Sequence, residues 1–469
     1  MNRKLLSIFS LFAASLAYIM SVSHRLIQDG DPFWAIKTGQ WVLTHGIPHT
    51  DPFSWTARGL PWVAHEWLFD TAMYWLAAHF GWYGIMFIVW AALFGFLACL
   101  WLLCKAEGKG ETVTLVVFTI AAVMPTWYVM DRPQVYSYFF FALFTYILTW
   151  RTGTRWPWIL PAVTLLWANM HGSAVMGVLM VGFEAILESV IEKKHTLWSA
   201  AIASFLASLV NPNGFGLWKF TFWLTTSPLN RQISEWRPPD FAAPPILILY
   251  AAVFATVACA MYAHKQPGRE PQDRRRMVSA FLYVAGLGLV SVSEARYFPY
   301  LAISWVVLFL RLIPDGIMVK RSAVKYKAVL VALVIFLIGR GFAQLPPQSI
   351  AAGIEQGQWP IKAVNYIKAH PALEDHIFNF YTWGGYLIWR DVPSFIDGRA
   401  DIFESNCSVF KDYLDATNLK SPEAVLKRYG IKTILMPRDS LLAVYLKGRP
   451  GWKVVYQDNV AVLYERRLK

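Results

Sequence analysis

The sequence is poor in charged residues and in cysteine for its length. Only 16% of its 469 residues are Asp, Glu, Lys or Arg, whereas 56% are hydrophobic and the mean hydropathy is +0.38. Soluble globular proteins carry about 25% charged residues, so a soluble fold of this length is excluded. The four cysteines include no Cys-x-x-Cys pair, which excludes a disulfide framework and a cysteine-based zinc site.

What the chain has instead is long apolar stretches. A membrane-spanning helix needs about 20 mostly apolar residues. Eleven candidate stretches lie at residues 5–23, 84–104, 113–130, 135–150, 157–170, 173–191, 198–210, 244–263, 278–293, 298–313 and 328–343. The sequence therefore predicts a polytopic α-helical membrane protein with about 11 transmembrane helices. The first stretch resembles a secretory signal, but we interpret it as an uncleaved helix because polar motifs follow it at once.

The basic residues predict the orientation. The net charge is +13, and the basic residues are spread over loops, so nucleic-acid binding is not expected. Six alternate short segments hold 18 Lys and Arg residues, whereas the opposite-side loops before residue 328 hold eight. Basic loops stay on the cytoplasmic side, which predicts a cytoplasmic N-terminus. An odd number of spans then predicts an extracytoplasmic C-terminal domain.

Two domains are predicted. Residues 1–343 form a transmembrane domain, whose first outer loop, 24–83, carries two aromatic-rich interfacial helices at 32–45 and 66–80. Residues 344–469 form a small extracytoplasmic α/β domain. In it, strands at 376–380, 393–396, 432–436 and 452–455 alternate with helices such as 361–369 and 422–428.

Polar residues gather on the predicted outer rim, where each is costly unless it is used. Asp29 and Asp31 are separated by one glycine, so they could share a divalent cation or act as a base and a ligand. The structural alternative is an interfacial turn in which Asp31 caps the next helix and Pro32 is its first residue.

Further candidates lie in other outer loops. His65 and Glu66 could supply a base or a metal ligand, or could simply begin a helix. Arg132 and Arg296 could hold a phosphate, or could snorkel towards lipid. Asn169 and His171 lie in a two-helix turn that also contains Gly172. We expect one outer-facing cavity to be bordered by Asp31, Asp29, His65, Glu66, Arg132, His171 and Arg296.

These motifs, in this order, resemble the bacterial membrane glycosyltransferases of the GT-C class, in the branch related to dolichyl-phosphate-mannose protein mannosyltransferases. The resemblance spans nearly the whole chain. It is carried by the ordered set Asp31-Pro32-Phe33-Trp34, Thr38-Gly39, His45-Gly46-Ile47-Pro48, Thr50-Asp51-Pro52-Phe53-Ser54, Trp62, His65-Glu66-Trp67-Leu68, Arg132-Pro133-Gln134, Trp167-Ala168-Asn169-Met170-His171-Gly172, Asn211-Pro212 and Trp383-Gly384-Gly385-Tyr386.

The resemblance implies transfer of a sugar from a polyprenyl-phosphate donor to an extracytoplasmic acceptor, which can be a glycan, a lipid or a protein. It implies Asp31 as the leading catalytic carboxylate and Asp29 as the second, and a bacterial inner membrane as the location. Arg132, Arg296, His171, His65, Glu66 and Asn169 are expected to bind the donor phosphate or the substrate. The chain lacks the adjacent Asp-Glu pair of the mannosyltransferases, which leaves the base and a need for Mg²⁺ or Mn²⁺ open.

Two other classes of function agree with parts of this pattern. A polysaccharide polymerase or ligase acting on polyprenyl-pyrophosphate glycans would also need Arg and His on the outer face. A transporter or a non-catalytic assembly protein for envelope polysaccharide is the third reading. A transporter places its ionisable groups near the bilayer midplane, and here most lie at one rim, which argues against transport.

Overall fold

The computed structural model describes residues 29–124, 128–227, 236–242, 244–264, 270–313, 359–405 and 407–467. The α-helices of these residues are, in chain order, α1 (Asp31–His45), α2 (Trp67–Phe80), α3 (Trp82–Ala106), α4 (Glu111–Val123), α5 (Gln134–Trp150), α6 (Ile159–Met170), α7 (Ala174–Leu187), α8 (Leu197–Ser208), α9 (Gly216–Thr226), α10 (Pro244–His264), α11 (Pro271–Ser293), α12 (Phe298–Leu312), α13 (Ile361–Ala369), α14 (Gly384–Trp389), α15 (Ala400–Ser405), α16 (Val409–Thr417), α17 (Pro422–Arg428) and α18 (Leu441–Leu446). The strands are β1 (Ile377–Asn379), β2 (Thr433–Pro437), β3 (Trp452–Gln457) and β4 (Ala461–Arg466).

Helices form at nine of the eleven predicted membrane stretches, as α3 to α8 and α10 to α12. The stretches at 5–23 and 328–343 lie outside the described residues. Within the part that is described, four helical segments are long and apolar enough to cross a membrane: Trp82–Ala106, Ala174–Glu192, Pro271–Ser293 and Ala295–Leu312. The protein is thus an integral membrane protein by its apolar helices, and the total of eleven spans stays a prediction.

The chain divides into two compact units. Of the described residues, those from 89 to 313 form the helical unit, and those from 29 to 88 and from 359 to 467 form the mixed unit. The sequence assigned the first outer loop to the transmembrane domain, whereas the structure groups it with the C-terminal residues. The reason is visible in buried contacts of the mixed unit, such as the ion pair between Asp51 and Arg399.

The helical unit is held together by apolar faces and by a buried ionic tie. Arg275 of α11 is 1% exposed, and its guanidinium contacts the carboxylate of Glu184 in α7. It also donates to Glu192 Oε1 at 2.6 Å and to Thr152 Oγ1 at 3.1 Å. A buried cation among apolar helices is tolerated only when it is paired and hydrogen-bonded, and Arg275 has both kinds of partner.

The mixed unit contains a four-stranded sheet in the order β1-β2-β4-β3. β1 pairs parallel with β2, and β4 pairs antiparallel with both β2 and β3. Residues Thr433 to Met436 of β2 are all buried. Consecutive buried residues are typical of a central strand that is covered on both faces. Helices form over the predicted ranges 361–369 and 422–428, and also at both stretches predicted in the first outer loop, as α1 and α2.

The strand predicted at 393–396 is wrong, and β4 was missed. The side chain of Asn379 occupies the backbone groups of the 393–396 segment: its Oδ1 accepts from Phe395 N at 2.7 Å and its Nδ2 donates to Ile396 O at 2.9 Å. β4 follows β3 through a tight turn, in which Asp458 Oδ1 accepts from Val460 N and Ala461 N, each at 2.8 Å. An Asx turn of this kind marks a hairpin.

Candidate functional site

Asp31 begins α1. Gly30 occupies the N-cap position without a side-chain capping bond, and Pro32 follows Asp31 in the first turn. The prediction that Asp31 could itself be the N-cap is therefore wrong by one position. Its Oδ1 instead accepts a hydrogen bond from Trp34 Nε1 at 3.0 Å. Asp31 is thus an acidic residue in the first turn of α1, at the positive end of the helix dipole.

Glycines allow the backbone to come close to Asp31. A Cβ on Gly398 would lie 1.8 Å from Asp31 Oδ1, and a Cβ on Gly385 would lie 2.1 Å from the carbonyl oxygen of Gly30. A Cβ on Gly30 would lie 2.2 Å from the carbonyl oxygen of Thr382. No larger residue fits at these three positions. Gly30, Gly385 and Gly398 thus allow the start of α14 and the 397–399 segment to pack against the start of α1.

A second carboxyl group lies buried beside this site. Asp70 of α2 is 1% exposed, and its Oδ1 has no hydrogen-bond partner among the described residues. Burial raises the pKa of Asp70 well above its usual range, Glu66 and Asp31 raise it further, and Arg399 opposes the rise. Asp70 therefore keeps its proton to a higher pH than an ordinary carboxyl, and carboxyl groups from α1 and α2 share one neighbourhood.

His65 precedes α2 and belongs to the same neighbourhood. Its Nε2 lies 3.2 Å from Glu66 Oε1, and its Nδ1 lies 3.1 Å from the carbonyl oxygen of Val63. Burial disfavours the charged imidazole, but Glu66 and Asp401 raise the pKa of His65 overall. Burial raises the pKa of Asp401 to about 6, although His65 opposes the rise. His65 and Asp401 therefore each keep a proton to a higher pH than the ordinary side chains do.

Arg399, from the C-terminal part of the chain, also belongs to this neighbourhood. Its guanidinium is 2.7 Å from Asp51 Oδ1 and 2.8 Å from Asp397 Oδ2, and all three side chains are buried. It also lies over the rings of Phe53 and Trp62, at 5.1 Å and 4.8 Å from their centroids. Two carboxylates and two aromatic faces fix one cation, so Arg399 is held rigidly in the mixed unit.

Asp29 is half-buried and lies two residues before Asp31. Asp29 and Asp31 were the residues expected to hold a divalent cation. Across the residues that the structure describes, no three His, Cys, Asp or Glu side chains are arranged to hold a metal ion. Asp29 and Asp31 are only two such side chains, so a divalent cation shared between them stays a prediction.

In the helical unit, Asn169 has a structural contact. Its Nδ2 donates to the carbonyl oxygens of Leu165 at 2.9 Å and Val210 at 2.8 Å. These bonds join the end of α6 to the residues just after α8. The amide nitrogen of Asn169 thus has a structural role, and a substrate contact of this residue stays a prediction.

His171 belongs to a polar cluster of the helical unit. Its Nδ1 lies 3.0 Å from Ser137 Oγ and 2.6 Å from Ser173 Oγ. Trp167 Nε1 donates to both hydroxyl groups, at 3.1 Å and 3.2 Å, and Tyr300 hydrogen-bonds them as well. The ring of His171 is therefore oriented by groups from α5 and α12 in addition to those of its own turn.

The two arginines differ in their surroundings. The guanidinium of Arg296 lies 3.7 Å from the centroid of the Trp236 ring, a close cation–π contact. Burial raises the pKa of the neighbouring Glu294, and Arg296 opposes that rise. Arg296 also acts electrostatically on Tyr300, which links it to the His171 cluster. Arg132 is half-buried just before α5, where Pro133 is the N-cap.

The structure thus brings Asp31, His65 and Glu66 together in the mixed unit, and His171 and Arg296 together in the helical unit. Sequence reasoning missed Asp70, Asp401 and the pairing of Arg399. Asp70 had a detectable signal, since it is a lone charge on the helical face formed by Phe69, Met73 and Ala77. A charged residue on the buried face of an amphipathic helix is energetically unfavourable, so such a residue is a candidate for a functional role.

No family model matches the sequence, and no curated protein sequence is similar to it. Solved structures are similar in fold. The oligosaccharyltransferase AglB from Archaeoglobus fulgidus, solved with an inhibitory peptide and a dolichol-phosphate, matches with a TM-score of 0.56 at 11% identity, over 92% of this chain and 69% of AglB. ArnT from Cupriavidus metallidurans, bound to undecaprenyl phosphate, matches with a TM-score of 0.52 at 12% identity, over 99% of this chain and 98% of ArnT.

At these identities the likeness concerns the fold. The two similar structures share a class, because AglB and ArnT are both membrane glycosyltransferases of the GT-C type. The chain therefore has the fold of the GT-C membrane glycosyltransferases, the class that its ordered motifs resemble.

Proposed function

We propose that the protein is a glycosyltransferase that moves a sugar from a polyprenyl-phosphate donor to an extracytoplasmic acceptor. The observation that carries the proposal is the carboxylate of Asp31, held by Trp34 at the start of α1 beside other ionisable groups, on this fold. The solved neighbours hold polyprenyl-type lipid phosphates, dolichol-phosphate in AglB and undecaprenyl phosphate in ArnT. A lipid-linked donor is the substrate class that agrees with both.

The proposed reaction is a direct displacement at the anomeric carbon. An acceptor hydroxyl oxygen forms the new bond to that carbon while the bond between the carbon and the donor phosphate oxygen breaks. The hydroxyl proton passes to Asp31, and the phosphate leaves with the electron pair of the broken bond. Asp31 suits this role because a carboxylate can accept the proton of the acceptor hydroxyl.

Other candidate residues have supporting roles in the proposal. His65 and Glu66, whose Nε2 and Oε1 atoms are 3.2 Å apart, are assigned to substrate binding. Arg132 and Arg296 are assigned to the donor phosphate, whose charge rises as the sugar departs. His171 is oriented by Ser137 and Ser173 as a substrate-binding group. Asn169 stays a proposed substrate-binding residue, although two backbone carbonyls engage its Nδ2.

The finer assignment of membrane topology also belongs to the proposal. We place the N-terminus in the cytoplasm, eleven spans in a bacterial inner membrane, and the C-terminal α/β domain outside. The basis is the excess of 18 over eight basic residues between the two sets of loops. On that side the donor sugar, once flipped, would meet envelope glycans, lipids or proteins as acceptors.

The test uses purified full-length protein with a panel of undecaprenyl-phosphate sugars, and with pyrophosphate-linked oligosaccharides as a second set. Released lipid phosphate is measured by mass spectrometry. Asp31→Asn keeps the size of the side chain but cannot accept a proton, so turnover should fall by about 10² to 10⁴-fold. The matched control is Asp439→Asn, since Asp439 is 92% exposed in the same unit and should leave turnover unchanged.

Two further arms separate the alternatives. Gly398→Ala forces a Cβ against Asp31 Oδ1, so it should reduce turnover without removing the carboxylate. If Asp29 and Asp31 hold a metal, chelation abolishes turnover and added Mg²⁺ partly restores Asp29→Asn. Normal turnover by Asp31→Asn removes Asp31 from the mechanism. Turnover of the pyrophosphate-linked set alone identifies a polymerase or ligase instead.

A further inference from the structure

A second concave site lies in the mixed unit, beyond the group of residues around Asp31. It is a cavity of about 410 Å³, lined by residues of α1, of the 52–58 loop and of the segment after α14. Ligand sites for small molecules have volumes of about 300 to 1,000 Å³. The cavity is therefore large enough for one or two sugar rings, and no role proposed so far uses it.

One face of α1 supplies most of its polar wall. Lys37, Trp41, Thr44 and His45 recur at the spacing of three or four residues that places side chains on one side of a helix. Trp41 is ten residues after Asp31, which corresponds to roughly 15 Å along the helix axis. The same helix thus carries the proposed base at its start and this cavity near its end.

Three aromatic side chains, Trp41, His45 and Phe53, line the cavity. The rings of Trp41 and His45 are stacked, with centroids 4.1 Å apart and an angle of 15° between their planes. Phe53 meets Trp41 edge-on at 5.7 Å. Such rings offer a large, rigid apolar surface at a low entropic cost on binding. The C–H face of a pyranose ring is a flat apolar surface of the kind that packs on them.

The polar groups of the cavity include both donors and acceptors. Lys37 Nζ is 2.5 Å from Asp391 Oδ1 and 2.9 Å from Gln40 Oε1, so its charge is largely balanced. Thr44 contributes a hydroxyl group, and Arg58 is exposed, with no ion pair among the residues that the structure describes. Sugar hydroxyls donate and accept, so they match such a mixture.

We infer that this cavity binds a saccharide unit of the acceptor, and that the acceptor is therefore a glycan. A phosphate or another small anion would be bound by hydrogen-bond donors alone, whereas Asp391 and Gln40 add hydrogen-bond acceptors here. A lipid chain would need no hydrogen-bond acceptor at all. A stacked aromatic wall beside mixed polar groups meets the two sides of a sugar ring, its apolar face and its hydroxyl edge.

This inference rests on the proposed function, because only a glycosyltransferase would use the bound saccharide as its sugar acceptor. Saccharide binding itself can be tested without any sugar donor. Purified full-length protein is incubated with an array of defined oligosaccharides, neutral and uronic-acid-containing, and bound protein is detected by a fluorescent label. We expect binding to at least one glycan. Trp41→Ala should weaken it by about tenfold or more, because the apolar contact of the ring is lost.

The chain offers a matched control in α2. Trp75 also contacts a histidine four residues later, His79, with ring centroids 4.5 Å apart, and it is 49% exposed outside the cavity. Trp75→Ala should leave glycan binding unchanged. Asp391→Asn is a second probe, because Asp391 has a 65% exposed side chain whose loss need not disturb folding, and it should also weaken binding.

Separate outcomes distinguish this inference from the proposed function. The Asp31→Asn variant should bind glycan as well as the parent protein does, even when its turnover is lost. In turnover assays, Trp41→Ala should raise the KM for a glycan acceptor and leave kcat nearly unchanged. The inference is overturned if no glycan on the array binds, or if Trp75→Ala weakens binding as much as Trp41→Ala. It is also overturned if Trp41→Ala abolishes binding to undecaprenyl-phosphate liposomes instead.

Discussion

At the scale of single residues, His65 is where the protonation state of the proposed site is set. Two carboxyl groups, those of Glu66 and Asp401, raise its pKa above the usual 6.5 although burial lowers it. The folded protein therefore binds this proton more tightly than the unfolded chain does. The stabilisation is complete below pH 6.5 and is lost as the pH rises through the folded pKa.

This predicts a pH-dependent effect of His65→Gln. Glutamine cannot carry the charge, so the substitution should cost roughly 1 kcal/mol at pH 6 and much less at pH 9. The measurement is the thermal unfolding midpoint of the full-length protein in detergent at both values. His79→Gln, an exposed position on α2, is the control and should show no such difference. An equal loss for His65→Gln at pH 6 and pH 9 would contradict the assigned ion pair with Glu66.

At the scale of elements, hydrophobic periodicity located the helices well. The ranges 361–369 and 422–428 agree with α13 and α17 at both ends, because each is an amphipathic segment with clear turn signals. The segment 393–396 has the same apolar character as a strand, yet Asn379 takes up its backbone groups. The side chain of a residue in β1 therefore replaces the strand pairing of this segment, and the local sequence of the segment does not predict that contact.

The site residues also divide into those that a local motif indicates and those whose roles depend on distant partners. Asp31 was singled out from a local motif, with a glycine before it and a proline after it, and its catalytic role comes from the resemblance and stays a prediction. Asp401 and Arg399 were not assigned, since their roles depend on partners from the first outer loop, such as Asp51, which is 348 positions from Arg399 in sequence. Contacts over such a distance come from tertiary packing, which a single sequence without relatives does not reveal.

The buried tie at Arg399 gives the element-scale prediction. Arg399→Met leaves Asp51 and Asp397 buried without their cation, so the free energy of unfolding should fall by about 3 to 5 kcal/mol. Chemical denaturation of the full-length protein in detergent measures it. The control is Arg428→Met, which removes an ion pair with Asp412 whose arginine side chain is 61% exposed. That change should cost about 1 kcal/mol or less, and comparable losses for the two variants would contradict the role of Arg399.

At the scale of the whole molecule, the orientation in the membrane can be tested directly. Cys99, Cys104, Cys259 and Cys407 are all free, so they can be replaced by serine to give a cysteine-less chain. Single cysteines are then placed at Lys420, with a 71% exposed side chain, and at Lys194, with a 61% exposed side chain. An impermeant maleimide added to intact cells should label position 420 and leave position 194 unlabelled. The reverse pattern would overturn the predicted topology.

The mixed unit is built from both ends of the sequence, and this has a consequence for biosynthesis. The partner that Asp51 needs, Arg399, is 348 positions further along the chain, which ribosomes add in roughly 17 to 70 s. Gly398, which lies against Asp31, emerges just as late. Every intervening helix has been made by then. Asp31 thus acquires its finished surroundings only when the C-terminal residues arrive, so a ribosome that stalls in between releases a chain with apolar helices but without a complete proposed site.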